Sequence, residues 1–350
     1  MGLDNFLKQT AKETNQELAK LIPKQISEKD LIKFIGTPDF DFDLVASQKA
    51  IVTPLWDFLD RGGKRWRPAL MLLSCQAVGG TKKQVLPFLP IPELVHNGTI
   101  VVDDVEDSSR LRRGKPSLHL VYGVDVAVNV GNAMYYLPLV SLFENKELSF
   151  ETKEKIYRIY SLEMIRLSFG QAMDIQWHNG GTNVTEKQYL QMCSYKTGSL
   201  ARMAAKLGAI IGDASEEQTN ALGEFATCIG VAFQIQDDIL NIKPELNWGK
   251  ETGDDINEGK RTLMVIHAFS VLSKEKKKRL EQILDSSDNS KEEIKEAISI
   301  LESTDSINYA KKFVRDFVSK KWTTLEEILP DSESKTLLKE FADYVIKRSI

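Results

Sequence analysis

Two short acidic stretches more than a hundred residues apart, DDVED at Asp103 to Asp107 and DDILN at Asp237 to Asn241, hold the residues best suited to chemistry. Each follows an apolar run that reads as helix, so carboxylates stand where burial normally excludes them. On a helix the first and fifth residues of such a stretch lie about 6 Å apart on one face. Unneutralised, they repel each other. A divalent cation removes the conflict, because Mg²⁺ takes hard oxygen ligands, often one or two carboxylates with water and substrate phosphates. One acidic stretch alone reads as readily as a solvated face. Two on apolar helices do not.

The helical wheel adds partners to each stretch. His96 lies seven residues before Asp103, almost directly beneath it, and Thr99 falls on the same stripe. Gln234, Asp237, Asp238 and Asn241 recur at helical spacing within GVAFQIQDDILNI, a segment too apolar for a surface helix. Positive charge gathers in four short stretches: GGKRWRP with Lys64, Arg65 and Arg67; SSRLRRGKP with Arg110, Arg112, Arg113 and Lys115; YKTG with Lys196 and Thr197; and GKETGDDINEGKRT with Lys250, Lys260 and Arg261. Glycine lets a backbone approach phosphate while arginine forks around its oxygens. Carboxylates and basic loops together point to a metal-bridged polyphosphate. A P-loop is excluded, because five residues separate Gly253 from Gly259 and Arg261 stands where Ser or Thr is required. In GQAMDIQW, Asp174 is suited to orient a metal-bound water, with Gln171 one turn before it. His119, His178 and His267 show no zinc-ligand spacing and read as structural or surface residues.

The elements that must position these groups read as helices. Periodicity near 3.6 dominates, without sustained strand alternation, so an all-α fold is expected. Thr185 with Gln188, and Ser290 with Glu293, have capping-box spacing, and Pro92 suits a first helical turn. Gly62-Gly63, Gly79-Gly80, Gly180-Gly181 and Asp288-Asn289 mark turns too short to be linkers. Beyond about residue 271, Lys and Glu thicken into the solvated faces of amphipathic helices. A net charge of −4 argues against nucleic acid as a partner. Three widely spaced cysteines form neither a disulfide framework nor a zinc site, which fits a reducing cytoplasm. MGLDNFLKQT lacks the features of a secretory signal, and Phe6 stands where a myristoylation signal needs Ser or Thr. No stretch is expected to span a bilayer.

With GGKRWRP, HNGTIVVDDVEDSSRLRRGKP, GQAMDIQW, YKTG, FQIQDDILN and GKETGDDINEGK in order, the chain resembles the trans-isoprenyl diphosphate synthases from about residue 60 to 265. The geranylgeranyl diphosphate synthases are most similar, sharing HN before the acidic helix, the form DDxED-x-S, and Asn at the end of the second motif. Asn241 departs from the fuller DDxxD pattern. The resemblance implies one all-helical isoprenoid synthase domain over residues 1–350, built around a central cavity, with residues 270–350 as C-terminal helices and usually paired as a homodimer. It implies Mg²⁺, three ions to a site, held by Asp103, Asp107 and Asp237 with Asp104, Asp238 and Asp255 in support. Arg112, Lys196 and Lys260, with Lys250 nearby, would hold the allylic diphosphate. Lys64, Arg67, His96 and Arg113 would hold isopentenyl diphosphate. Thr197 and Gln234 would lie beside the reacting carbon with the Lys196 carbonyl.

Product length in this family follows bulk below the first motif. The two positions that often carry aromatics in enzymes stopping at C15 are Gly98 and Thr99 here, which leaves Tyr135 and Tyr136 as the next candidate floor and implies a C20 product, with C15 or a longer chain as the alternative. An ideal wheel puts Thr99 on the stripe but Gly98 off it. A class I terpene cyclase has no use for Lys64, Arg67 and His96. A non-catalytic partner subunit would be expected to lose metal ligands.

Overall fold

Apolar residues recurring at helical spacing fold into helices over nearly the whole computed structural model, which describes residues 2–178, 183–243, 252–286 and 288–347. The expectation of an all-α protein holds, with one addition. A two-stranded antiparallel hairpin pairs Leu111–Arg112 with Lys115–Pro116. Strands this short leave no alternation to read in a sequence.

The chain divides into two compact units, Met1–Arg158 with Ala204–Glu216, and Ile159–Met203 with Glu217–Ile350. In the first, Leu18, Leu55, Phe58, Leu94, Val101 and Val130 belong to one buried cluster. Burying a side chain of this kind is worth about 1.5–3 kcal/mol. The first acidic helix, Pro90–Glu106, starts at a proline whose missing N–H costs nothing in a first turn. It buries Ile91, Leu94, Val95 and Val101. It stops because Ser108 turns left-handed at φ 52°, where Ser108 N–H reaches the Val105 carbonyl and Ser109 N–H the Asp104 carbonyl, at 3.2 and 2.9 Å. That is a Schellman closure with serine in glycine's usual place.

This helix packs closely on Val124–Tyr136. A Cβ on Gly98 would sit 2.7 Å from the Gly131 carbonyl oxygen, and one on Gly131 would sit 2.6 Å from a Val102 methyl carbon. The small residues set the depth at which the acidic helix lies.

In the second unit, Thr185 and Ser290 form the capping boxes their spacing predicts, with Gln188 and Glu293 respectively. The second acidic helix, Glu216–Ile242, is anchored by Phe225 edge-on to Trp322 at 5.8 Å and by Phe233 against Phe341 at 6.3 Å.

Among the described residues, two helical stretches, Lys82–Glu106 and Val124–Glu144, are long and apolar enough to cross a membrane by length and composition alone, each with an 18-residue window of mean hydropathy 1.3. The first escapes notice in the sequence because it is a relay: the short helix Lys82–Val85 and a 3₁₀ turn at Leu86–Phe88 run into the acidic helix, with Pro87, Pro90 and Pro92 along the way. Its most apolar window is 67% buried within the protein.

Gly98→Ala is expected to lower stability by about 1–3 kcal/mol, because the added methyl meets backbone that cannot swing aside. The denaturant midpoint reads it, and an unchanged midpoint would show that the two helices part freely.

Candidate active site

In the first unit, Asp103 and Asp107 stand one turn apart, the Asp107 N–H donating to the Asp103 carbonyl at 2.8 Å, and both residues are half-buried. They occupy the C-terminal end of their helix, where the macrodipole is negative. Each carboxylate there is disfavoured by about 0.3–1 kcal/mol. Asp104 between them is 1% exposed. Arg112 donates to its Oδ1 through Nε at 2.8 Å and also through Nη2, while Oδ2 is buried with no hydrogen-bond partner among the described residues. Burial raises the Asp104 pKa, and Arg112 works against that rise.

The donor set is oxygen only. Among the described residues no group of three or more His, Cys, Asp or Glu gathers to hold a metal. Two carboxylates on successive turns, completed by water and substrate phosphate, nevertheless fit Mg²⁺ coordination, and they suit zinc poorly.

Basic residues in the same unit are fixed by unusual backbone. Arg113 and Gly114 both have positive φ, 55° and 73°, the demand of a type I′ hairpin turn. Arg113 donates to the Gly62 carbonyl and, through Nη2, to Asn97 Oδ1 at 3.0 Å. Asn97 Nδ2 donates to Glu93 Oε1 at 2.6 Å, and Arg65 Nη1 donates to the same oxygen at 2.5 Å. Burial pulls the Arg113 pKa down to about 10; Glu93 opposes this, while Arg65, Arg112 and Arg61 add to it. Half-buried His96 is held well below its usual pKa by burial first and then by Arg67, Arg113, Arg65 and Arg112. A neutral imidazole among four guanidinium groups suits an incoming anion. Arg67 is buried, its guanidinium 4.2 Å from the Trp66 ring centroid, and Lys64 is exposed beside Gly63.

The positions expected to set chain length divide. Thr99 is half-buried, its hydroxyl donating to the His96 carbonyl at 2.8 Å. Gly98 lies against Gly131 and the Tyr135 ring, whose Cε1 would be 3.0 Å from a Cβ there, so its smallness serves helix packing. Tyr135 is half-buried, and its phenol pKa is raised by burial and then by Glu106 and Asp103. Tyr136 does not fit the expectation of a floor: it is 69% exposed, because successive residues on a helix point about 100° apart.

In the second unit, the predicted stripe is real and graded in burial. Gln234 and Asp237 are half-buried, while Asp238 and Asn241 are buried. Asp238 accepts from the Tyr189 hydroxyl at 2.7 Å and from Gln234 Nε2 at 2.9 Å. Burial, then the charge of Asp255, pushes its pKa up to about 7. Gln234 Oε1 accepts from the Thr197 hydroxyl at 2.9 Å. Lys196 donates to Asp174 Oδ2 at 2.6 Å, so Asp174, expected to orient a metal-bound water, holds the lysine. Asn241 Oδ1 accepts from the Asp255 N–H at 3.2 Å, its carbonyl accepts from Gly253 N–H at 2.9 Å, and Lys260 reaches Asp255 at 3.4 Å. Lys250 lies outside the described residues. The sequence did not reveal Tyr189, Glu93 or the pairing of Asn97 with Arg113. Only Glu93 and Asn97, one turn apart on the acidic helix, carried a signal.

Carboxylates near helix C-termini, with Arg and Lys held by side chains around them, suit a protein that handles polyanionic substrates. The polyprenyl synthetase family profile matches residues 48–301. The short chain isoprenyl diphosphate synthase of Methanocaldococcus jannaschii is 37% identical over 82% of this chain and 86% of its own length. The geranylgeranyl diphosphate synthase of Methanosarcina mazei is 36% identical over 83% and 87%. Among solved structures, the geranylgeranyl pyrophosphate synthetase of Pyrococcus horikoshii aligns with TM-score 0.85 and 31% identity over 99% of this chain and 98% of its own. The chain belongs to the polyprenyl synthetase family and is a trans-prenyltransferase.

The depressed pKa of His96 has a consequence for stability. The folded protein keeps the ring neutral, whereas the unfolded chain takes a proton below about pH 6.5. The stability tied to this neutral histidine is complete above that value and shrinks as pH falls. Wild type is expected to lose melting temperature more steeply than His96→Gln between about pH 7 and pH 5. Equal slopes would contradict the assignment.

Proposed function

We propose that this trans-prenyltransferase is a Mg²⁺-dependent geranylgeranyl diphosphate synthase, condensing isopentenyl diphosphate with an allylic diphosphate to a C20 product. The observation that carries the metal assignment is the pair Asp103 and Asp107, one turn apart at the negative end of an apolar helix. With Asp237 from the second acidic helix they would hold Mg²⁺, three ions to a site, and the metal would supply positive charge to the leaving diphosphate.

The chain's own residues do the rest. Arg112, Lys196 and Lys260, with Lys250, bind the allylic diphosphate and neutralise charge as its carbon–oxygen bond breaks. Losing one preorganised donor of this kind commonly costs about 2.7–4 kcal/mol in the barrier. The Thr197 hydroxyl, the Lys196 carbonyl and the Gln234 amide oxygen stabilise the allylic cation. Lys64, Arg67, His96 and Arg113 orient isopentenyl diphosphate so that its double bond attacks that cation. The proton then lost passes to the departing diphosphate, so no protein base is required. Asp104, Asp174, Asp238, Asn241 and Asp255 hold these groups in place, which the hydrogen bonds to Arg112, Lys196, Tyr189, Gln234 and the Asp255 N–H support.

Small Thr99 on the metal-binding stripe supports a passage long enough for C20. In this reading the whole chain works as one catalytic domain, paired as a homodimer in the cytoplasm. Three buried free thiols, Cys75, Cys193 and Cys228, are in keeping with a reducing compartment.

Purified protein with Mg²⁺, isopentenyl diphosphate and each of three allylic primers is expected to give mainly C20 product; chromatography showing mainly C15 would sink that assignment. Asp103→Ala and Asp237→Ala are expected to abolish turnover with the helical circular dichroism intact. Near-normal rates in both would refute the metal ligands.

A further inference from the structure

Lys196 and Thr197 stand at a break in the chain's helices, one ending at Lys196 and the next beginning at Gly198. Two long helices approach this break at backbone contact. A Cβ on Gly170, in Phe150–His178, would lie 2.3 Å from the Lys196 nitrogen and 2.8 Å from its Cα. One on Gly230, in Glu216–Ile242, would lie 2.7 Å from Gly198 Cα and 3.1 Å from the Thr197 carbonyl oxygen. Neither glycine has a positive φ, so conformational freedom does not explain them. Close approach does.

Each is followed, four residues later on the same helix face, by the side chain that grips the break. After Gly170 comes Asp174, whose Oδ2 accepts from Lys196 Nζ at 2.6 Å. After Gly230 comes Gln234, whose Oε1 accepts from the Thr197 hydroxyl at 2.9 Å. Residues at this spacing move together, so pushing a helix back at its glycine withdraws the polar group one turn on. A methyl at Gly170 demands a retreat of about 1 Å to reach normal contact.

We infer that Gly170 and Gly230 are positioning residues for prenyl transfer, setting two helices at the depth where Asp174 aims the Lys196 ammonium and Gln234 aims the Thr197 hydroxyl. The inference rests on the prenyl-transfer reading and deepens it. Nothing in it involves isopentenyl diphosphate.

The test is steady-state kinetics, with Mg²⁺, an allylic diphosphate and isopentenyl diphosphate, on wild type, Gly170→Ala, Gly230→Ala and Gly208→Ala. Gly208 is the control, since a Cβ there would lie 2.1 Å from the Met71 carbonyl oxygen, equally crowded but in the other unit. Gly170→Ala and Gly230→Ala are expected to lose kcat on the order of 100-fold with KM for isopentenyl diphosphate unchanged. Gly208→Ala loses melting temperature but keeps kcat per folded molecule. Adding Thr197→Val to Gly230→Ala should cost nothing beyond the worse single change, because both break one arrangement. Asp174→Glu adds no backbone contact and folds even if an alanine variant does not; with the helix depth fixed, its longer arm misplaces Lys196 and lowers kcat as far as Asp174→Ala does. Folded glycine variants with kcat within about threefold of Gly208→Ala, or an Asp174→Glu enzyme near wild-type kcat, would overturn the inference while prenyl transfer by wild type still stands. A wild type inert with every primer would overturn the reading itself.

Discussion

Negative charge at the wrong end of a helix is the constraint on which the rest of this structure depends. Asp103, Asp104, Glu106 and Asp107 crowd the last turn and cap of one apolar helix, and Asp237 and Asp238 the last turns of another. A helix that served only packing would put lysine or arginine there. The protein keeps the carboxylates and manages the cost locally. Arg112 neutralises Asp104, and Tyr189 and Gln234 donate to Asp238. Burial divides the carboxylates into two groups. Asp104 and Asp238 are buried, while Asp103, Asp107 and Asp237 are half-buried.

The same logic orders the basic residues. Arg65 and Glu93 form a buried pair that fixes Asn97, and Asn97 fixes Arg113. Arg113 and Arg65 both sit in left-handed backbone that few non-glycine residues adopt. Strain of that kind persists only where the surroundings over-determine it. Here the bonds to Gly62, Leu59 and Asn97 do so. Rigidity is what a diphosphate site requires, since a donor already in place needs no reorganisation when charge develops.

What is legible in the sequence follows helical periodicity. The stripe from Gln234 to Asn241 and the stacking of His96 beneath Asp103 need only 3.6 residues per turn, and the wheel also sets Gly98 apart from Thr99. Capping boxes at Thr185 and Ser290 are local and equally readable. What periodicity cannot supply is the identity of whatever lies opposite. Tyr189 meets Asp238 across 49 residues of chain, and Asp174 meets Lys196 across 22. Tyr136 departs from expectation for a related reason, since adjacency to Tyr135 in sequence says nothing about sharing a helix face.

Asn241 shows why departure from a motif can be an electrostatic choice. Its position is 1% exposed, and its Oδ1 accepts the Asp255 N–H. Either an aspartate or an asparagine could make that bond. An aspartate, however, would add a third carboxylate to Asp238 and Asp255, and Asp238 is already pushed up to about 7 by burial and by Asp255. A further like charge in a poorly solvated place raises such a pKa again. The amide keeps the acceptor and omits the charge. The asymmetry between the two acidic helices is thus a property of depth: the first ends at a half-buried carboxylate, and the second runs on into the interior, where a neutral residue holds the same loop at lower electrostatic cost.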